Sequence, residues 1–421
     1  MAEKAVLGLD IGTSRIKFVE ARMGRSGPVV VNAGMGMTPR DTIVNGVIVD
    51  ADTLGAAVRQ LLAEHGARTR SVVSSVASQS SLVVRPIEVP RMSRDELKGT
   101  MQWEVDRHIP FAASEVVMSF EPLVPPEELP EDAQNMEVLL AVAQEDMIEH
   151  HVQTLFNAGL DPIALDVEPL SACRSLIDIA RDRGAYEHCY ALLNVGANTT
   201  DLSIFRPGGL LSFTRPIPLA GDNITNAIAE NMGYEFHEAE RAKIERGMVY
   251  VEGAPALGAG TAPAPPTDFG IVPPPEEEEG GKERVFDLGA ELGPSRPPSA
   301  PPPSAPLPAI HAPTSGSPER QVYDSMLPTL VEMVTEVRRS LEYYANRYPE
   351  TRVDTLLLYG GTARLPHFPE FLGNEVGVKV EVGNPFQHLA VDEGSVPVEV
   401  VRDNACFMPI VVGLAIRDMI E

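Results

Sequence analysis

Val6-Leu7-Gly8-Leu9-Asp10-Ile11-Gly12-Thr13-Ser14 and Tyr190-Ala191-Leu192-Leu193-Asn194-Val195-Gly196-Ala197-Asn198 decide how this chain is read. Each is an apolar strand closed by a polar residue, an apolar residue and a glycine. Small hydroxyl or amide residues follow, and then a second strand, as from Ile16 to Ala21. One such hairpin in each half of the chain predicts two related lobes. A ligand shared between the hairpins is the natural use of that arrangement.

Around the hairpins, strands alternate with helices, which argues an α/β class. Asp52 to His65 reads as an amphipathic helix with Asp52 as N-cap and Gly66 at its end. Ser93 to Arg107 opens with the capping box Ser93-Arg94-Asp95-Glu96. Glu145 to Ala158 is a helix stopped by Gly159, and Pro169 opens another in its first turn. Gly221 to Met232, Glu238 to Arg246 and Glu319 to Ala345 also read as helices, and Val353 to Tyr359 as a buried strand. Residues 251–318 stand apart, with 17 of the chain's 38 prolines and the acidic run Glu276 to Glu279. Such a stretch buries too little apolar area to offset its ordering entropy and is expected to be a disordered, partly polyproline-II excursion.

A length of 421 residues with 43% apolar content suits two lobes of ordinary size. The net charge of −26 repels phosphate backbones and anionic headgroups, so nucleic acid and membrane surfaces are not expected partners. Cys173, Cys189 and Cys406 are odd in number and widely spaced, which argues against disulfides and a zinc site. No signal-peptide pattern or spanning stretch is visible, so the expected location is cytoplasmic.

The turn chemistry points to phosphate. Gly12 lets the backbone approach a ligand closely. Thr13 and Ser14 offer hydroxyl and N–H donors, and Asp10 is placed to hold a hydrated Mg²⁺. Gly196, Asn198 and Thr199 repeat the logic. Tyr359-Gly360-Gly361-Thr362-Ala363-Arg364-Leu365-Pro366 follows an apolar strand. Its glycines admit a flat ring or a phosphate, and Arg364 suits stacking on a base. Glu240 and Lys243 share one helix face. They suit ribose hydroxyls, although the spacing by itself favours a solvated surface pair.

In order, these segments resemble the actin-like ATPase superfamily. Leu9 to Ser14 is similar to its first phosphate motif and Asn194 to Asp201 to its second. Val167-Glu168-Pro169-Leu170-Ser171-Ala172 resembles the inter-lobe connecting helix, and Val412-Gly413-Leu414-Ala415 the second such helix. Glu240 to Lys243 resembles the ribose-contacting helix and Gly360 to Pro366 the adenosine motif. The implied fold is an actin-like, ribonuclease H-like, two-lobe α/β body with a small subdomain inserted in the first lobe. The expected division is 1–81 and 151–188 for lobe one, 82–150 for the subdomain, and 189–250 and 319–400 for lobe two. The insertion 251–318 and a connecting helix in 401–421 complete it. The resemblance implies ATP and Mg²⁺ as cofactors. It implies cofactor contacts from Asp10, Gly12, Thr13, Ser14, Lys17, Gly196, Asn198, Thr199, Gly221, Glu240, Lys243, Gly360, Gly361, Thr362 and Arg364, with Asp10 holding Mg²⁺ through water. Glu168 and Asp201 are the candidate catalytic carboxylates. The second motif opens on Asn194 where active ATPases carry Asp, and an amide is neither an anionic ligand nor a strong base. Slow or absent hydrolysis is expected.

Trp103-Glu104-Val105-Asp106-Arg107-His108-Ile109-Pro110-Phe111 resembles, within the superfamily, the PilM family of type IV pilus assembly proteins. That resemblance implies a scaffold at the cytoplasmic face of the inner membrane. Its partner would be the cytoplasmic N-terminal peptide of PilN, within an inner-membrane complex of PilN, PilO and PilC that meets the motor ATPases. Arg94, Lys98, Trp103, Ile109 and Phe111 are the candidate partner-binding residues, although Trp103, Ile109 and Phe111 also suit a subdomain core. Two other readings stay open: a filament-forming or FtsA-type ATPase, and a sugar kinase of the same superfold. Arg417 to Glu421 lacks the basic amphipathic pattern of an FtsA tail. Homo-oligomers are compatible with every reading.

Overall fold

The computed structural model describes residues 5–44, 46–77, 81–109, 111–250, 316–392 and 394–420. The expected disorder of 251–318 thus falls almost wholly outside the described residues.

The first half opens with a three-strand meander, β1 (Val6–Ile11), β2 (Arg15–Gly24) and β3 (Gly27–Met37). A short hairpin, β4 (Ile43–Val44) and β5 (Val47–Ile48), leads to α1 (Ala51–Glu64) and β6 (Ser71–Val76). An excursion follows: β7 (Leu82–Pro90), α2 (Arg94–His108), β8 (Val116–Pro122) and β9 (Asn135–Gln144). The chain then returns through α3 (Glu145–Asn157), β10 (Asp161–Val167) and α4 (Glu168–Leu176). The second half repeats the plan with β11 (Tyr190–Val195), β12 (Thr200–Arg206) and β13 (Leu210–Ile217). Helices α5 (Gly221–Met232), α6 (Phe236–Arg246) and α7 (Pro318–Arg347) precede β14 (Thr355–Tyr359), α8 (Phe368–Val376) and β15 (Lys379–Val382). Strand β16 (Ala390–Val391), α9 (Val398–Arg402) and α10 (Pro409–Ala415) close the chain.

Two sheets share one strand order. The first runs β10-β6-β1-β2-β3-β16 and the second β13-β12-β11-β14-β15. Read from the meander outward, β3-β2-β1-β6-β10 in one matches β13-β12-β11-β14-β15 in the other. In both, the meander is antiparallel and the next two strands are parallel to the first strand. This is the two-lobe α/β architecture expected from the paired hairpins. The strands β1 and β11 are central and almost wholly buried, which their continuous apolar runs require.

Two local expectations shift. Asp50, not Asp52, caps α1, its carboxylate accepting from the Thr53 N–H at 2.9 Å. Asp52 lies in the first turn and accepts instead from Asn157 Nδ2 at 2.8 Å. Both are acidic residues at the helix start, and the N-cap is fixed by backbone geometry that spacing does not report. Helix α6 begins at Phe236, two residues before Glu238, because Glu235 and Glu238 form the capping interaction across its first turn.

The halves meet where α4 crosses α10. A Cβ at Gly413 would lie 1.7 Å from the Ser171 carbonyl oxygen, so the helices touch backbone to backbone. Arg174 donates to the Gly413 carbonyl at 3.0 Å and Ser175 to the Pro409 carbonyl at 2.7 Å. Asp166 is paired with Arg174 at 3.1 Å and Arg417 at 3.6 Å.

Candidate functional site

The two hairpins are superposable in register. Asp10 faces Lys17 across the first, and Asn194 faces Asp201 across the second. Each turn is closed by its glycine, Gly12 N–H to Arg15 O at 3.0 Å and Gly196 N–H to Thr199 O at 2.9 Å. Among the described residues, the N–H groups of Thr13, Ser14 and Asn198 have no acceptor within the chain. These are free donors at the tips of facing turns. Helix α5 is fastened to the second turn by Gly221 N–H to Gly196 O at 3.0 Å and Asp222 N–H to Ala197 O at 2.7 Å.

Between the lobes lies a cleft of about 420 Å³. Asp10, Gly12, Thr13, Ser14 and Lys17 line it from lobe one, with Glu168 at the head of α4. From lobe two come Gly196, Asn198, Thr199 and Gly221, then Glu240 and Lys243 of α6. Gly360, Gly361, Thr362 and Arg364 complete the wall. Gly360 has φ +93°, and a Cβ there would stand 2.6 Å from Val195 O, so only glycine lets β14 turn this close to β11. Asp201 is buried behind the wall, its Oδ2 without a hydrogen-bond partner. The sequence reading missed Arg15, Asp222 and Phe407 as cleft residues. Arg15 directly follows the first turn and Asp222 opens α5, so both carried a positional signal. Phe407 ends the short helical turn Ala405–Phe407 ahead of α10, and no motif marks it.

The carboxylates are crowded. Asp10 is paired with Lys17 at 2.5 Å. Burial, then the charges of Asp10 and Asp201, hold the Glu168 carboxyl well above its usual range, against Lys17 and a hydrogen bond from Asn194. Burial pushes Asp201 up to about 7. Burial also raises Asp222, against the pull of Lys243. Glu240 and Lys243 are not a solvated surface pair. Lys243 Nζ sits 2.6 Å from Glu240 and donates to Thr225 Oγ1 at 2.8 Å and to the Gly221 carbonyl at 3.1 Å. Thr225 in turn donates to Glu240 at 2.5 Å. The network joins α6 to α5, which pairwise spacing on α6 cannot reveal.

Among the described residues, no three acidic, histidine or cysteine side chains are close enough to ligate one metal ion directly. The unpartnered Asp201 oxygen and the raised Glu168 and Asp201 pKa values describe carboxylates short of positive charge. Such a set fits a cation that keeps its water shell and receives the carboxylates as outer hydrogen-bond acceptors.

The excursion from lobe one forms a separate three-stranded sheet, β7-β9-β8, with α2 packed on it through Leu97 and Met101. Ile109 packs against this core, so its side chain is held by the subdomain. Phe111 is half-buried. Trp103, however, is 75% exposed on α2. Arg94 is paired with Glu121 of β8, and Lys98 lies 3.8 Å from Asp95. Strands β7 and β9 also lean on lobe two, where Thr214 Oγ1 donates to the Val84 carbonyl of β7 at 2.5 Å and Arg206 pairs with Glu137 of β9. Among the described residues, no helix is long and apolar enough to cross a membrane.

Among solved structures, the PilM-PilN type IV pilus biogenesis complex contains a chain that matches with a TM-score of 0.74 at 25% identity, over 98% of each chain. Cell division protein FtsA of Bacillus subtilis (strain 168) is 26% identical over 270 residues, 59% of this chain and 59% of its own length. FtsA of Pseudomonas aeruginosa is 26% identical over 261 residues, 57% of this chain and 60% of its own. The chain therefore spans about three fifths of the length of these curated relatives. The profile of the family described as type IV pilus assembly protein PilM matches residues 8–250 and 314–419. That match runs through both lobes and leaves out residues 1–7, 251–313 and 420–421, the long gap being the proline-rich stretch within lobe two, and the chain belongs to the PilM family of type IV pilus assembly proteins, on an actin-like two-lobe fold.

Proposed function

We propose that this chain is an ATP-binding scaffold of a type IV pilus machine. In this reading the cleft holds ATP with a hydrated Mg²⁺. The facing turns take the phosphates, Glu240 and Lys243 the ribose, and Gly360 to Arg364 the base. Asp10, Glu168 and Asp201 surround the hydrated cation. The lobe-one subdomain takes the N-terminal cytoplasmic peptide of a PilN-type inner-membrane protein, and membrane location comes through that partner. The observation that carries the reading is the convergence of the motif segments on one cleft. It does so in a chain that matches the PilM-PilN structure end to end. Asn194 supports binding with slow turnover, because it supplies an amide to Glu168 where a general base or anionic ligand would need a carboxylate. In this reading the chain divides into lobe one (1–81 and 151–188), the subdomain (82–150), lobe two (189–250 and 319–400), the insertion 251–318 and a closing connecting helix in 401–421.

The test is a thermal melt with and without Mg²⁺–ATP, beside a fluorescence titration of the peptide. ATP is expected to raise the melting temperature, since a ligand of the folded state stabilises it by mass action. Trp103→Ala is expected to change stability by no more than about 0.5 kcal/mol, as exposed positions do. It is expected to weaken the peptide about tenfold or more, as an exposed aromatic anchor does. A variant that binds the peptide as tightly as the parent would remove α2 from the groove. A parent that melts identically with and without ATP would remove the nucleotide.

A further inference from the structure

Among the described residues, four cationic side chains line the cleft: Lys17, Lys243, Arg15 and Arg364. Two are already neutralised, Lys17 by Asp10 at 2.5 Å and Lys243 by Glu240 at 2.6 Å. Arg364 donates to the neutral Asn404 Oδ1 at 3.2 Å. Arg15 has only soft contacts, its Nη1 at 3.9 Å from Met35 Sδ and its guanidinium 5.4 Å from the centre of the Phe407 ring. Among the described residues, neither arginine has a carboxylate partner. A guanidinium keeps its charge at any accessible pH. In a cleft crowded with acids, an arginine left without an anion is a place prepared for one.

Phe407 explains how Arg15 is held there. The guanidinium groups of Arg15 from lobe one and Arg364 from lobe two both lie over this ring, at 5.4 and 5.9 Å. The ring itself is seated against the glycine turn, with a Cβ at Gly361 placed 3.1 Å from its Cε1. A cation–π contact with an aromatic face holds the guanidinium in place while leaving its N–H donors available. Arg15 also begins β2 immediately after the free N–H groups of Thr13 and Ser14. It therefore stands beside the donors assigned to phosphate.

We propose that Arg15, braced by Phe407, is a specificity residue that binds the phosphate chain of the ligand and selects charged nucleotides over nucleosides. The proposal rests on the nucleotide reading of the cleft. It adds a charged contact from lobe one that the turn motif does not include. The same bracing makes Phe407 the link between the phosphate-side arginine of one lobe and the base-side arginine of the other.

The experiment is calorimetric titration of the full chain with Mg²⁺–ADP and with adenosine, for the parent, Arg15→Gln and Arg15→Lys, beside melts of the ligand-free proteins. Arg15→Gln is expected to weaken ADP by about 10- to 100-fold, the usual cost of a charge-assisted hydrogen-bonded contact. Adenosine is expected to change by less than about threefold, because it lacks the group that Arg15 would contact. Arg15→Lys should fall between, keeping the charge but losing the fork. Equal weakening of ADP and adenosine would make Arg15 a packing residue for Phe407 and overturn the proposal. Unchanged ADP binding in Arg15→Gln would overturn it as well. A parent that binds neither ligand would overturn the nucleotide reading itself, and the proposal with it.

Discussion

Gly413→Ala is expected to destabilise the protein by about 3 kcal/mol or more, at the upper end of what overpacking a well-packed contact costs. The added carbon would lie 1.7 Å from Ser171 O and 2.5 Å from Ser171 C. Both are backbone atoms of α4, so no rotamer change relieves the contact. The helices must separate, and the bonds from Arg174 to Gly413 O and from Ser175 to Pro409 O stretch with them. The cleft is affected too, because Glu168 opens α4 while Ile410 belongs to the first turn of α10. The variant should therefore melt earlier and bind nucleotide more weakly. Gly99→Ala is the control of opposite sign. It sits in α2 with open space around the added carbon, so it should stabilise by about 0.5–1 kcal/mol through helix propensity. Urea unfolding of both variants measures this. A Gly413→Ala midpoint within error of the parent would mean that the crossing is loosely packed.

The hairpins were legible because their information is local. A polar residue, an apolar residue and a glycine at the end of an apolar run fix a strand, a turn and a second strand, and their recurrence fixes the number of lobes. The equal register of Asp10 with Lys17 and Asn194 with Asp201 follows from equal turn length. The cleft's remaining features depend on distant parts of the chain meeting. Phe407 meets Arg15 because the turn Ala405–Phe407 and α10 return from the end of the chain onto β1 and β2, a packing between segments remote in sequence. The Glu240–Lys243–Thr225 network is similar, since the spacing of two residues on α6 says nothing of a threonine on α5. Trp103 shows a different limit. An aromatic residue in a mostly polar helix fits a core or a contact surface equally well. Which face of α2 the sheet covers was settled by Leu97 and Met101. Asp50 and Asp52 are a third case, two suitable caps of which backbone geometry selects one.

Ligand-free stability is expected to fall as pH rises through neutrality, and Asp201→Asn is expected to remove much of that fall. Asp201 has an ordinary value of 3.8 and is pushed up to about 7 by burial. Between those values the folded chain holds a proton that the unfolded chain has released. The stabilisation is complete below about 4 and is lost as pH rises through about 7. Glu168 acts in the same direction, since burial, Asp10 and Asp201 raise it well above its usual range. His151 opposes them. Buried beside Ser74, it is lowered from 6.5 to about 4, so its neutral form favours folding increasingly from about pH 4 to 6.5. Above 6.5 that gain is complete, and nothing from His151 offsets the carboxylates. At pH 8 the amide of Asp201→Asn carries no charge to desolvate. The variant should then be more stable than the parent by on the order of 2–4 kcal/mol, an advantage that falls to about a third of that at pH 5 and vanishes below about pH 4. Urea unfolding of the ligand-free proteins at the two pH values measures the difference. Mg²⁺–ATP should flatten the parent's slope, because a cation beside Asp10, Glu168 and Asp201 favours their ionised forms. The first hairpin already neutralises Asp10 with Lys17, whereas the second faces its acid with the amide of Asn194. A carboxylate at 194 would add another negative charge to this cluster, and the amide avoids it. Equal pH slopes for parent and Asp201→Asn would place Asp201 near its ordinary pKa and give its buried Oδ2 a partner.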